Sequence, residues 1–235
     1  MNILFTLNNA FVPQVATCMC SIFENNKSMD EINIYLLNTD ISEANKAKLQ
    51  EFTKLYGRSV HFITLPNLRS LIDFDFDTNG WSPIVLARLL VDKLLPEDID
   101  RILYLDGDTL VLGSLESLWK LDMGNRSIGM GPESTVDAGR REFLGLGKQM
   151  YCNAGVLLID LEKWRDRKLG EKVLAYYKKH DGNLFANDQD AINGSLKDDI
   201  YPGYHVCEAT VITKKEKQPI SLYLSLIHIS EPTRH

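Results

Sequence analysis

"RILYLDGDTLVL", residues 101–112, is the stretch on which the reading of this chain turns. Ile102 to Leu105 is an apolar run suited to a buried strand, and Thr109 to Leu112 is a second. Asp106 and Asp108 stand between them, separated by Gly107 alone. Like charges this close repel one another inside a fold unless a cation neutralises them. Hard divalent ions such as Mn²⁺ or Mg²⁺ prefer carboxylate oxygens and complete their shell with water and phosphate oxygens. Gly107 adds no side chain, so the backbone there can approach a ligand. The competing reading is a plain turn, because Asp-Gly between two apolar runs is also a hairpin signal.

Working outward, strand-like and helix-like segments alternate. Asn2 to Leu7, Ile32 to Leu37 and Val60 to Leu65 read as strands, and Val12 to Phe23 and Ser42 to Tyr56 as helices. Ser42 supplies a cap for the second helix and Gly57 a stop. Asn67 to Gly80 is polar and reads as a surface loop. Pro83 to Leu95 reads as a helix, Leu115 to Trp119 as a short one, and Ser127 to Met130 as a strand. Val136 to Gly147 is ambiguous, whereas Ala154 to Ile159 is apolar throughout, as a strand buried on both faces would be. Strands alternating with helices predict an α/β fold with an open, mostly parallel, Rossmann-like sheet flanked by helices. Ligands of such sheets sit beyond the carboxyl ends of the strands, which puts Asn8 and Asp106 in one crevice.

Composition narrows the field. A chain of 235 residues, 44% of them hydrophobic, can bury a sizeable core. A net charge of −6 offers no basic field for nucleic acid. No run approaches the ~20 apolar residues of a membrane span. Cys18, Cys20, Cys152 and Cys207 show no disulfide or C-x-x-C spacing, which predicts free thiols in a reducing cytoplasm.

Three further stretches carry chemistry. In SPIVLARLLVDKLL, helical spacing puts Arg88 on a face with Ile84, Val91 and Leu95. A buried guanidinium needs an anion, either a carboxylate such as Asp106 or a ligand's diphosphate; a structural pair explains it equally well. In MYCNAGVLLIDLEKWR, Ala154 and Gly155 leave room for a ligand against the strand, and Asn153 offers both donor and acceptor. In FANDQDAING, Asn187 reads as an N-cap with acids in the first turn, which accounts for all but Gln189.

The ordered set ILFTLNNAF, LARL, LYLDGDTLV, YCNAGVLLIDLEKWR and NDQDAING resembles glycosyltransferase family 8, the family of lipooligosaccharide galactosyltransferases and glycogenin. The resemblance spans Met1 to about Tyr204. It implies a GT-A fold that transfers galactose or glucose from a UDP-sugar, with retention, to a saccharide or glycolipid acceptor, assisted by Mn²⁺ or Mg²⁺. Carried over, Asp106 and Asp108 would hold the metal, and Thr6 and Asn8 would line the uridine pocket. Arg88 and Gly107 would lie at the phosphates. Asn153, Ala154 and Asp188 would position the donor sugar, and Gln189 would sit at its anomeric carbon, with Asp188 the alternative nucleophile.

Departures are visible too. Asn8 stands where many members have Asp, and Glu133 falls near an acid that contacts the sugar in some of them. The family's late metal-ligating histidine has no match in His205 or His228. Leu224 to Arg234, LSLIHISEPTR, resembles the translation of a sequencing adapter. The expected organisation is therefore a catalytic domain over 1–219, incomplete at its end, followed by a non-native tail over 220–235. Weakened metal binding and little activity are expected of such a chain. The full-length protein is expected in the cytoplasm, at the inner membrane face if a C-terminal segment docks there. Two rivals are weighed. A haloacid-dehalogenase-type phosphatase would use Asp106 as nucleophile, Asp108 as acid and Lys197-Asp198-Asp199 downstream. A sugar-nucleotide-binding protein would have kept the fold and lost turnover.

Overall fold

The computed structural model describes residues 1–203 and the strand backbones Cys207–Ile212 and Ser221–Ile227. The strands are β1 (Asn2–Leu7), β2 (Asn33–Asn38), β3 (Ser59–Thr64), β4 (Arg101–Leu105), β5 (Thr109–Val111), β6 (Ile128–Pro132), β7 (Cys152–Asp160), β8 (Ile200–Tyr201), β9 (Cys207–Ile212) and β10 (Ser221–Ile227). The helices are α1 (Val12–Asn25), α2 (Glu43–Leu55), α3 (Val91–Leu94), α4 (Glu116–Trp119), α5 (Ala138–Phe143), α6 (Leu161–Asp166), α7 (Leu169–Lys179) and α8 (Asn187–Leu196).

A seven-stranded sheet runs β3-β2-β1-β4-β7-β6-β8, and β5, β10 and β9 form a smaller one. In the large sheet every pairing is parallel except those of β7 with β4 and with β6. Both faces are covered, which is why the strands are apolar without interruption. Alternate side chains serve opposite cores. Ile3, Phe5 and Leu7 of β1, Leu103 and Leu105 of β4, and Val156 and Leu158 of β7 pack with α1 and α2 residues such as Val15, Ile22 and Leu49. Leu4, Ile102, Tyr104, Leu157 and Ile159 face the opposite way, toward Leu89, Trp164, Val173 and Ile192. The chain goes from β1 outward to β2 and β3, then returns to place β4 on β1's other side. A crevice opens at that reversal, beyond the strand ends.

Several local expectations are met with a change of detail. Ser42 caps α2 by accepting from Asn45 N–H (3.3 Å), and the chain leaves that helix through Gly57 at φ +63°. Residues 83–95 are not one α-helix: Pro83–Leu90 is a 3₁₀ helix continued by the single turn α3. Three residues per turn put Val85, Arg88 and Val91 in line, in place of the α-helical row expected from spacing. Asn67 to Gly80 is no simple surface loop, because Leu68, Ile72 and Phe76 are buried in the core beneath it. The ambiguous 136–147 segment contains α5, capped by the Asp137 carboxylate accepting from Arg140 N–H (2.8 Å). Cys18, Cys20 and Cys152 are free thiols; His205 and His228 lie outside the described residues.

Candidate active site

The Asp-Gly-Asp segment is a turn, with Thr109 N–H donating to Asp106 O (3.2 Å), yet it joins no hairpin. β4 stays in the large sheet while β5 leaves it to pair with β10. The turn therefore delivers both carboxylates to the crevice. Gly107 is required by packing as well: a Cβ there would come 2.5 Å from Val15 Cγ2 and 3.2 Å from Phe11. Gly155 likewise leaves room for a protein group, since its Cβ would lie 2.9 Å from Asp106 Oδ2 and from Asn153 Oδ1.

A bulge in β7 builds the opposite wall. Met130 pairs with Leu157 but Gly131 pairs with Asn153, so the residues between are displaced from the β6 ladder. Site groups bond the backbone thus released. Ala154 N–H donates to Gln189 Oε1 (2.8 Å), and Ala154 O accepts from Arg88 Nη1 (2.7 Å). Gly155 O accepts from Asp106 N–H (2.8 Å), and Gly155 N–H donates to Asn153 Oδ1 (2.7 Å). Asn193 holds α8 against the strand start: it accepts from Cys152 N–H (2.7 Å) and donates to Cys152 O (2.8 Å).

Arg88, only 7% exposed, lies at the electrostatic centre. Its guanidinium sits 3.1 Å from Asp106 Oδ1, 3.1 Å from Asp188 Oδ2 and 4.3 Å above the Tyr104 ring. Of the two partners foreseen for it, the structure gives the carboxylate, and gives it twice. Burial alone would lower its pKa, but Asp188, Tyr104 and Asp106 hold it raised. Tyr104 donates to Asp106 Oδ1 (2.7 Å) and shares a hydrogen bond with Thr6 Oγ1 (3.1 Å), so Thr6 reaches the site through Tyr104.

Asp188 is buried, and burial pushes its carboxyl up to about 6 against the pull of Arg88. Its Oδ2 accepts no hydrogen bond: the one Nε hydrogen of Arg88 goes to Val85 O (3.1 Å), so that oxygen meets the guanidinium's charge without its proton. Asp108 is also pushed up, by burial and then by the charge of Asp106. Both acids thus pay for proximity to other carboxylates, as the turn sequence implied.

Thr6, Asn8, Arg88, Asp106, Gly107, Asp108, Asn153, Ala154, Asp188 and Gln189 all line one cleft of about 940 Å³. Asn8 spends its Oδ1 on Phe11 N–H (3.1 Å), capping the 3₁₀ turn Asn9–Phe11. Asn187 is not the N-cap of α8; Ala186 is. At φ +42°, Asn187 turns inward, donating to Thr78 O (3.1 Å) and accepting from Tyr177 OH (3.3 Å). Glu133 approaches Asn153, which donates to it at 3.5 Å, and its pKa is lowered: burial opposes this, but Thr135 overcomes it. Lys197, Asp198 and Asp199 are not brought to the cleft: Asp199 pairs with Arg167 (2.8 Å) and Asp198 accepts from Gln149 (2.9 Å). The phosphatase reading loses its downstream acids.

Sequence reasoning missed Trp81 and Phe185, which line the mouth at 67% and 81% exposure. Large exposed aromatics are visible only once burial is known. It also missed Tyr104, whose ring reads as core, and the Arg140–Tyr151–Asp190 cluster behind Gln189. Among the described residues no three His, Cys, Asp or Glu side chains form a metal cage. Two carboxylates, one raised by burial and then by its neighbour's charge, fit a hard divalent ion that keeps waters and phosphate oxygens, and do not fit a closed structural site.

A two-faced α/β sheet with an acidic cleft at its switch point, superposable on galactosyltransferase LgtC, defines a GT-A fold. The chain belongs to glycosyl transferase family 8, whose pattern matches residues 2–233. It is similar to general stress protein A of Bacillus subtilis, at 28% identity over 94% of this chain and 78% of that protein. It is also 28% identical to the lipopolysaccharide 1,2-glucosyltransferase of Escherichia coli, covering 84% of this chain and 58% of the enzyme. Glycosyltransferase GlyE of Streptococcus pneumoniae matches at 27% identity, with 44% of its length spanned. The chain thus spans about half the length of several curated relatives. LgtC solved with donor and acceptor sugar analogs gives a TM-score of 0.76 at 29% identity, over 85% of this chain and 72% of that one. No described helix is long and apolar enough to cross a membrane.

Proposed function

We infer that this chain carries the donor-binding and catalytic portion of a retaining hexosyltransferase, which moves galactose or glucose from a UDP-sugar to a saccharide or glycolipid acceptor. The observation that supports this best is the meeting, in one cleft, of Thr6, Asn8, Arg88, Asp106, Asp108, Asn153, Asp188 and Gln189. Asp106 and Asp108 would hold Mn²⁺ or Mg²⁺, which supplies charge neutralisation for the leaving diphosphate. Thr6 and Asn8 line the uridine end of the cleft, and Asn8 retains its Nδ2 for the base. Arg88 acts indirectly: its guanidinium lies against both Asp106 and Asp188 and holds the displaced Ala154 carbonyl. Asp188 lines the cleft and would position the donor sugar. Gln189 has its Oε1 engaged by Ala154 N–H, which makes it a poor nucleophile and favours a front-face transfer through an oxocarbenium-like state. Trp81 and Phe185 offer apolar faces at the mouth for the acceptor ring.

Calorimetric titration with UDP, with and without Mn²⁺, tests donor and metal binding. The expected result is Mn²⁺-dependent affinity that Asp106→Asn and Asp108→Asn abolish. UDP affinity indifferent to the metal and to both variants overturns the reading. Hydrolysis of UDP-glucose and UDP-galactose then separates turnover from binding alone and identifies the donor. Two companion proposals have their own tests. The domain boundary at residue 219 falls if the source DNA encodes 220–235 with no adapter match. Cytoplasmic residence falls if fractionation finds the protein elsewhere.

A further inference from the structure

Gln189 does not lie loose in the cleft, and the groups behind it form a directed chain of hydrogen bonds. Ala154 N–H can only donate, so the end of the amide that meets it is the oxygen, at 2.8 Å. The amide nitrogen then faces Tyr151, donating to its hydroxyl at 3.0 Å. Arg140 Nη2 donates to the same hydroxyl (2.9 Å), so the phenol oxygen is an acceptor twice over. Its own proton goes to Asp190 Oδ1 (2.7 Å). Asp190 is buried and fully engaged: Oδ1 accepts from Arg140 Nε (2.9 Å) and Nη2 (2.6 Å), and Oδ2 accepts from Ala186 N–H (2.9 Å). Burial, then Asp190, keeps the Tyr151 pKa well above its ordinary value, so the phenol stays protonated. Arg140 also covers the Phe185 ring at 4.6 Å, tying the cleft mouth to the same cluster.

Every link has one sense. The carboxylate accepts the phenol's only O–H hydrogen bond, which leaves the phenol only lone pairs to offer. Those lone pairs can meet only the NH₂ end of Gln189, and the oxygen end is pinned to the displaced strand. A flip of the amide would put NH₂ against the Ala154 N–H. We propose that Tyr151, held by Arg140 and Asp190, is a positioning residue that fixes the direction in which Gln189 presents its amide to the cleft. One N–H and one carbonyl lone pair then remain for the ligand. No role in contacting substrate is required of Tyr151 itself. The inference concerns the Gln189 position of the proposed transferase site and rests on that reading only for its kinetic consequence.

The test has two arms. In protein with ¹⁵N-labelled glutamine, the Gln189 side-chain resonance, identified by its loss in Gln189→Ala, is followed in Tyr151→Phe. Its hydrogen exchange is expected to accelerate about tenfold or more as the NH₂ loses its acceptor, with the melting curve confirming a folded chain. In the kinetic arm, kcat for donor turnover falls about tenfold or more while donor KM stays within about twofold, as for a group free to turn. Combined with Gln189→Ala, Tyr151→Phe should cause no further loss. An unchanged Gln189 resonance, or losses that simply add, overturns the proposal. Should Tyr151→Phe not fold, the wild-type resonance decides: Gln189 NH₂ exchange as fast as that of an exposed glutamine overturns the proposal. A wild-type chain without turnover matches the little activity expected from its sequence, and the resonance arm then decides this inference.

Discussion

Replacing Arg88 by methionine keeps most of the side chain's volume and removes its charge. Four contacts go with it: Asp106 at 3.1 Å, Asp188 at 3.1 Å, Ala154 O at 2.7 Å and Val85 O at 3.1 Å. Removing one partner of a buried ion pair costs about 3–5 kcal/mol, because the remaining charge stays buried without compensation. Against a total stability of about 5–15 kcal/mol this is a large share. For a domain of this size it corresponds to a fall in Tm of about 6–20 °C.

The loss carries a pH signature. With Arg88 present, Asp188 already sits at about 6 against an ordinary 3.8, roughly two units or about 3 kcal/mol of strain on the ionised form. An acid whose folded pKa lies above its unfolded value binds its proton more tightly in the fold. Its contribution therefore strengthens the fold as pH falls from about 6 toward 4 and weakens it as pH rises. Without the guanidinium that window extends upward. Urea melts of wild type and Arg88→Met should differ most at pH 8 and least at pH 5. Arg88→Met combined with Asp188→Asn should recover part of the gap at pH 8. A difference below about 1 kcal/mol at pH 8, or one equal at both pH values, refutes the claim that Arg88 neutralises the buried Asp188.

Three other perturbations follow from the same geometry. Gly107→Ala forces a methyl to 2.5 Å from Val15 and should cost about 1–3 kcal/mol in urea unfolding, because the neighbour is packed core. Gly155→Ala sets a Cβ 2.9 Å from Asp106 Oδ2; the carboxylate must move, and metal-supported UDP affinity should drop about tenfold while the melting curve stays cooperative. Trp81→Ala and Phe185→Ala, both at exposed positions of the mouth, should each raise acceptor KM several-fold, about 1 kcal/mol of lost stacking, and leave UDP affinity unchanged in titration.

Periodicity and motif spacing determined a good deal. The unbroken apolar runs at 102–105 and 154–159 required a sheet covered on both faces, and alternation with helices placed the crevice beyond the carboxyl ends of β1 and β4. The chemistry of the cleft followed from residue type, because carboxylates one residue apart and an arginine in an apolar stripe each demand a partner. Only the tertiary structure decided who the partners are. Arg88 chose two acids distant in sequence, the glycines made room for Val15 and Asp106, and Asn187 turned inward while Ala186 took the cap. Tyr151, Arg140 and Asp190 meet because α8 docks against the start of β7 through Asn193. Local patterns record which face a residue occupies; contacts between distant segments are settled by how the elements pack, and no spacing along the chain encodes them.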